Sequence, residues 1–262
     1  MTGCKIRQPM DIFCETGMVK KTALLVWVFA VVFFVSSPVA ANSFESAQAA
    51  FDEGRFLEVV EIAETLNTVE ALTLATASLV IYGFYIAEDE DQQPIFVHAM
   101  ELGEKAVNLD PDNALAHLRW GQAMGRYAQT ITTIKALREG YGKRIREEFE
   151  TAIALDPNLP KAHTSLASWH WEAIKKAGIV ARATLGASKK TGAKHFEEAL
   201  NLAPQSKEVL FDYARGLLVQ GKRKNRNRAR EYLMRSINIP PLNAYDHLLD
   251  EESKRKLAKL DE

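Results

Sequence analysis

Cysteine is nearly absent from the 262 residues. Cys4 and Cys14 are the only two, and both precede position 42. A chain beginning after that point would have no disulfide and no thiol chemistry, so packing alone would hold it even in an oxidising compartment. Catalytic signatures are missing as well. The sequence has no Gly-x-Ser-x-Gly, no phosphate-binding glycine loop and no His-Glu-x-x-His. Gly186-Ala187-Ser188-Lys189-Lys190 has the composition of a phosphate loop without its glycine spacing. No alternating apolar run is bounded by turn residues, so strands are not expected. Neither charge sign dominates, with 33 basic and 34 acidic residues. Four of the basic and two of the acidic residues precede position 42, leaving −3 beyond it, which argues against general nucleic-acid binding. These absences move the reading from catalysis toward binding, with no cofactor and no enzyme activity expected.

Residues 1–41 read as a targeting segment. Lys20 and Lys21 precede an unbroken apolar run from Ala23 to Val35, and Ser36-Ser37-Pro38-Val39-Ala40-Ala41 follows. A basic head, a short apolar core and a Val-x-Ala end make a secretory signal with cleavage after Ala41. Met18-Val19-Lys20-Lys21 resembles a more usual start than Met1. The alternative is an inner-membrane anchor formed by residues 23–41, although the run is short for a span of about 20 residues. The expected location is the periplasm or otherwise outside the cell.

What the chain does have is a repeat. Ala152-Ile153-Ala154-Leu155-Asp156-Pro157 echoes Ala106-Val107-Asn108-Leu109-Asp110-Pro111 upstream and Ala199-Leu200-Asn201-Leu202-Ala203-Pro204 downstream. The three prolines are 46 and 47 residues apart. Ten residues after each stands a small residue, Gly121, Ala167 or Ala214, and nine after a large one, Trp120, Leu166 or Tyr213. Small residues at fixed places let helices approach, and large neighbours fill the space beside them. Each proline ends one helix and suits the opening of the next. The register extends to Pro241 and, with threonine in place of proline, to Thr68. The period is that of a solenoid of helix pairs with degenerate ends.

At these residues the chain resembles the tetratricopeptide repeat superfamily, over roughly Phe44 to Pro241. The resemblance implies an all-α, right-handed superhelical solenoid at 42–241, with 242–262 as a charged capping helix. The departure is the period, which in that superfamily is about 34, so each middle repeat carries an insertion between its paired helices. Such enlarged repeats resemble those of the T component of TRAP-type transporters and of the regulator-of-microtubule-dynamics proteins. The second comparison rests on Ala-His-x-x-Leu and tryptophan-rich helix starts. Neither supplies a catalytic residue.

Helical spacing begins at Phe44, Ala47, Ala50 and Phe51, and continues after Gly54. Ala71–Ala87 is apolar enough to suggest a membrane helix, but its Thr, Ser and Gly content favours a buried solenoid helix. The connections inside the helix pairs differ in charge. Glu88–Asp91 is acidic, Gly178–Gly192 is small and basic, and Gly221–Arg230 holds six basic residues, with only Glu231 beside them. On one edge of a solenoid they would run from acidic to basic.

Candidate binding residues fall into three groups. His117 and His163 share a repeat position, and His170 lies two turns beyond His163. They could line one groove, but the spacing lacks the carboxylate or cysteine support of a zinc site, so repeat packing is preferred and no metal is expected. Trp120, Trp169 and Trp171, with Tyr127 and Tyr141, are candidate interface anchors. Trp169 and Trp171 cannot both face the core of one helix, so one faces the concave surface or a neighbouring pair, or else both pack against the inserts. Lys222, Arg223, Lys224, Arg226 and Arg228 form a candidate docking edge for an acidic partner or an anionic membrane face. The expected function is a non-enzymatic periplasmic scaffold with a protein partner. The alternative is a T-type transport auxiliary that holds a substrate-binding protein or an apolar ligand in a central channel, and an enzyme is a more distant one.

Overall fold

A computed structural model describes residues 43–262; the readings of residues 1–41 fall outside the described residues. The described residues form twelve helices and no strand. These are α1 (Phe44–Asp52), α2 (Phe56–Leu66), α3 (Val69–Tyr85), α4 (Gln92–Leu109), α5 (Ala114–Thr130), α6 (Thr133–Arg138), α7 (Tyr141–Leu155), α8 (Pro160–Leu185), α9 (Lys189–Leu202), α10 (Lys207–Val219), α11 (Arg223–Ile237) and α12 (Ala244–Asp261). Apart from the short α6, successive helices pack against one another, making an all-α solenoid.

The repeat supplies its joints. Leu109, Leu155 and Leu202 are the last residues of α4, α7 and α9. A cap follows each, and then the proline, which has no N–H for a further helical bond. Asp110 and Asp156 fold their carboxylates back onto the amides of Asp112 and Asn158, at 3.1 and 2.9 Å. The next helix is then started by Asn113 or Ser206 as a side-chain cap, or by Pro160 in the first turn of α8. Ala106, Ala152, Ala199, Ala167 and Ala214 are fully buried. A Cβ on Gly121 would lie 2.7 Å from the Phe149 ring, so the glycine is a contact requirement. Large side chains such as Phe149, Phe196 and Tyr213 fill the joints, each contributing about 1.5–3 kcal/mol by burial.

The inserted residues lie where the period demands. One insert is α6, set between α5 and α7. The other is the far end of α8, beyond a break at Gly178, whose φ of 53° and ψ of −119° are accessible to glycine and strained for other residues. The basic stretch expected as a loop from Gly178 is therefore helical to Leu185. The run Lys222–Arg230 is likewise helical, because α11 starts at Arg223. Arginine and lysine are good helix formers, and Asn225 and Ala229 bury one face of the turn. Nor are all its charges unpaired: Arg230 reaches Asp261 at 2.7 Å and Arg228 the Tyr213 hydroxyl at 3.1 Å. The apolar Ala71–Ala87 stretch is α3, a buried solenoid helix. Among the described residues no helix is long and apolar enough to cross a membrane.

The two ends of the array meet. Ala244, Tyr245 and Leu248 of α12 pack on the N-terminal core, and the Tyr245 ring lies 5.9 Å from that of Tyr85 on α3. The inner helices α3, α5, α8 and α10 thus enclose a cavity of about 570 Å³, closed on one side by α12.

Candidate functional site

The wall of this cavity is one stripe per repeat. Counting from Pro111, the residues eight, eleven and fifteen places on are Arg119, Gln122 and Arg126; from Pro157 they are Ser165, Ser168 and Glu172; from Pro204 the first two are Asp212 and Arg215. Four places on, Lys161 and Glu208 join them. These offsets follow the i, i+4, i+7, i+11 spacing of one helix face, opposite the faces that fill the joints.

Two electrostatic regions result. In the first, Lys161 donates to Asp212 at 2.7 Å and to Glu208, and Thr164 donates to Asp212 at 3.1 Å. Arg215 lies between Asp212 and Glu172 at 3.6 and 3.7 Å, and the Tyr245 hydroxyl donates to Glu208 at 3.0 Å. Burial raises the Asp212 carboxyl, but Lys161 and Arg215 overcome it and hold Asp212 below the usual carboxylate range. Burial, with Glu208 beside it, pushes the Tyr245 phenol well above its ordinary value. The second region holds Arg126 and Arg119, which have no carboxylate partner among the described residues. The Arg126 guanidinium lies 3.4 Å from the Phe84 ring centroid and reaches only the Gln129 amide oxygen, at 3.3 Å. Arg119 donates to Gln122 at 2.8 Å. Burial, then the nearby Arg215 charge, lowers the Arg126 pKa from its ordinary value. The Ser168 hydroxyl, on the same wall, has no hydrogen-bond partner among the described residues. The first group is internally neutralised; Arg126 and Arg119 present cationic groups without an ion pair among the described residues to whatever enters.

Most of the residues picked from the sequence lie elsewhere. Only Trp169 borders the cavity. It is 8% exposed, and its indole donates to the Gly142 carbonyl at 3.0 Å. Trp171 is buried against Phe196, with ring centroids 4.7 Å apart, and donates to the Lys189 carbonyl. Both tryptophans are therefore buried, Trp169 against the start of α7 and Trp171 against α9. Trp120 is half-buried over Gly103, and Tyr127 lies 5.2 Å from Tyr141. His117 bridges the Pro111 carbonyl and Glu148 at 2.8 and 2.6 Å. His163 repeats this with the Pro157 carbonyl at 2.9 Å, but meets His195, 3.0 Å away, where the other joint has Glu148. His170 accepts from the Ser188 amide at 3.2 Å, and burial takes its pKa down to about 4. The histidines belong to the joints, and no group of three potential ligands for a metal ion occurs among the described residues. Lys222, Arg223, Lys224 and Arg226 are exposed at the start of α11. Sequence reasoning passed over the inner stripe, although the same proline register marks it once polar residues at equal offsets are compared.

The helix-pair joints, the enlarged inserts and the inward stripe define a tetratricopeptide-like repeat protein. The chain belongs to the family described as regulator of microtubule dynamics protein 1-3, whose model matches residues 43–261. It is also similar to a solved structure titled "Crystal structure of YrrB: a TPR protein with an unusual peptide-binding site". The identity is 14%, the alignment covers 81% of this chain and 90% of that chain, and the TM-score is 0.38. No curated protein matches the chain.

Proposed function

We propose that the protein is a non-enzymatic scaffold, exported to the periplasm or beyond, whose inner groove holds an anionic segment of a partner protein. The observation that carries this reading is Arg126, fixed over Phe84 on the same helix face as Arg119 in a half-enclosed cavity, with neither arginine ion-paired to the carboxylates of its wall. A carboxylate brought by a ligand would make charge-assisted hydrogen bonds with these guanidinium groups. The preformed wall needs little ordering on binding. The test is a photo-crosslinking amino acid at Gln129 on the cavity edge. Crosslinks to one partner that vanish in Arg126→Glu support the reading; crosslinks equal in both proteins sink it.

One observation favours a second reading. The contact of Tyr245 with Tyr85 closes the groove into a chamber of a size found for small-molecule sites. A central ligand, as in a T-type transport auxiliary, fits that closure. Native mass spectrometry of the purified protein separates the two, since a retained small molecule adds a discrete mass.

A further inference from the structure

The two inserts leave apolar side chains in solvent. Ile134 and Leu137 on α6 are 80% and 36% exposed, and Ile179 and Val180, just past the Gly178 break, are 80% and 47% exposed. The break is the local cause. With Gly178 at φ 53° the helix changes direction, so Ile179 and Val180 leave the packed face that Ala181 rejoins, fully buried. The two segments meet at the start of α7, where a Cβ on Gly142 would lie 2.8 Å from Leu185 of α8, and Ala136 and Leu137 of α6 border the same cavity as Lys176 and Ala177 of α8.

The charges around these side chains are mainly positive, with Glu139 and Glu172 at the edges of the two segments. Residues 129–138 and 173–190 contain Lys135, Arg138, Lys175, Lys176, Arg182, Lys189 and Lys190, and no acidic residue. The first five make no ion pair among the described residues, in contrast to the cross-linked carboxylates deeper in the cavity. We infer that the surface formed by α6 and the far end of α8 docks on an anionic lipid bilayer, with Ile134 and Ile179 entering the headgroup region and the lysines and arginines meeting phosphates.

The pattern favours lipid over protein. Protein hot spots are enriched in tryptophan, tyrosine and arginine, whereas the points here are bare aliphatics among mainly cationic neighbours. A bilayer with anionic lipids offers the complement: negative charge on the surface and hydrocarbon directly beneath it. The reading is independent of what occupies the cavity, because none of the four apolar residues needs a ligand there.

The experiment is sedimentation of the full chain with vesicles of phosphatidylcholine alone, or with about one quarter phosphatidylserine. Wild type, Ile134→Ser/Ile179→Ser and Lys175→Glu/Lys176→Glu are compared, all keeping residues 1–41 so that any contribution from that segment is common. Each basic residue near an anionic surface strengthens binding about fivefold, so wild type should favour the anionic vesicles and the charge-reversed protein should lose at least about tenfold on them. The serine variant should lose affinity on the same vesicles with unchanged far-UV CD. As a local readout that no folding defect imitates, tryptophan at 179 (Ile179→Trp) should shift its emission to the blue on anionic vesicles and not on neutral ones. Equal binding by all three proteins, an unshifted Ile179→Trp emission, or a wild-type dimer that Ile134→Ser/Ile179→Ser abolishes would each overturn the assignment.

Discussion

Lys161 on α8 and Asp212 on α10 meet at 2.7 Å, tying adjacent repeats along the cavity wall, and both side chains are largely withdrawn from solvent. Arg215 and Glu208 complete the group, so each charge depends on the others. Removing one member of a buried pair strands its partner, a loss of about 3–5 kcal/mol. Asp212→Ala should approach that cost in urea unfolding. Asp212→Asn, which keeps an acceptor for Thr164, should cost less. Equal midpoints for the two variants would show that Thr164 contributes nothing.

Gly216 stands where Phe196 and Trp171 converge; a Cβ there would be 2.6 Å from the Phe196 ring and 2.9 Å from the indole. Gly216→Ala gains helix propensity but overpacks the joint. The second effect should win by about 1–3 kcal/mol, read as a lower Tm. A higher Tm would mean that the aromatic pair yields easily.

His170 supplies a pH dependence of definite sign. Burial lowers its pKa to about 4 from an ordinary 6.5, so the folded protein favours the neutral ring. His195 is lowered too, by burial and then by His163. The unfolded chain therefore takes up protons first as pH falls. The stability linked to His170 is complete above 6.5 and is lost between 6.5 and about 4, reaching about 3 kcal/mol. His170→Asn retains an acceptor for the Ser188 amide without titrating. It should flatten the Tm-versus-pH curve in that window; a curve parallel to wild type would remove His170 as the cause.

The start of α11 predicts an opposite sign from ordinary surface mutation. Lys222, Arg223 and Lys224 crowd cations at a helix N-terminus that has no side-chain cap. Glutamates suit the macrodipole there better. Lys222→Glu/Arg223→Glu/Lys224→Glu should keep the helical CD signal and raise Tm slightly. A fall in Tm would show that these cations make stabilising contacts.

The joints were legible because packing constrains residue size at fixed offsets: Ala152 can be only small, and Leu155 and Pro157 mark a helix end. The inserts were legible as extra length and not as structure. A bend at Gly178 and a short α6 depend on what they lean against, and Lys222–Arg230 looked like a loop because its charges hid the buried Ala229 and Asn225. Trp169 borders the groove while Trp171 is buried in a joint, since a large aromatic signals burial as readily as recognition. The groove residues Arg126, Lys161 and Asp212 carry different chemistry in each repeat, so identity matching passed over them while their offsets stayed fixed.

Tyr245 against Tyr85 also fixes how this array can change. An open array gains or loses whole units freely, because each touches only its neighbours. Here an added unit would carry α12 away from α3 and uncover both tyrosines, and a deleted one would leave too short an arc to bring them together. The number of units is thereby locked. Variation in length is pushed out to the connections, where α6 and the bend at Gly178 already lie.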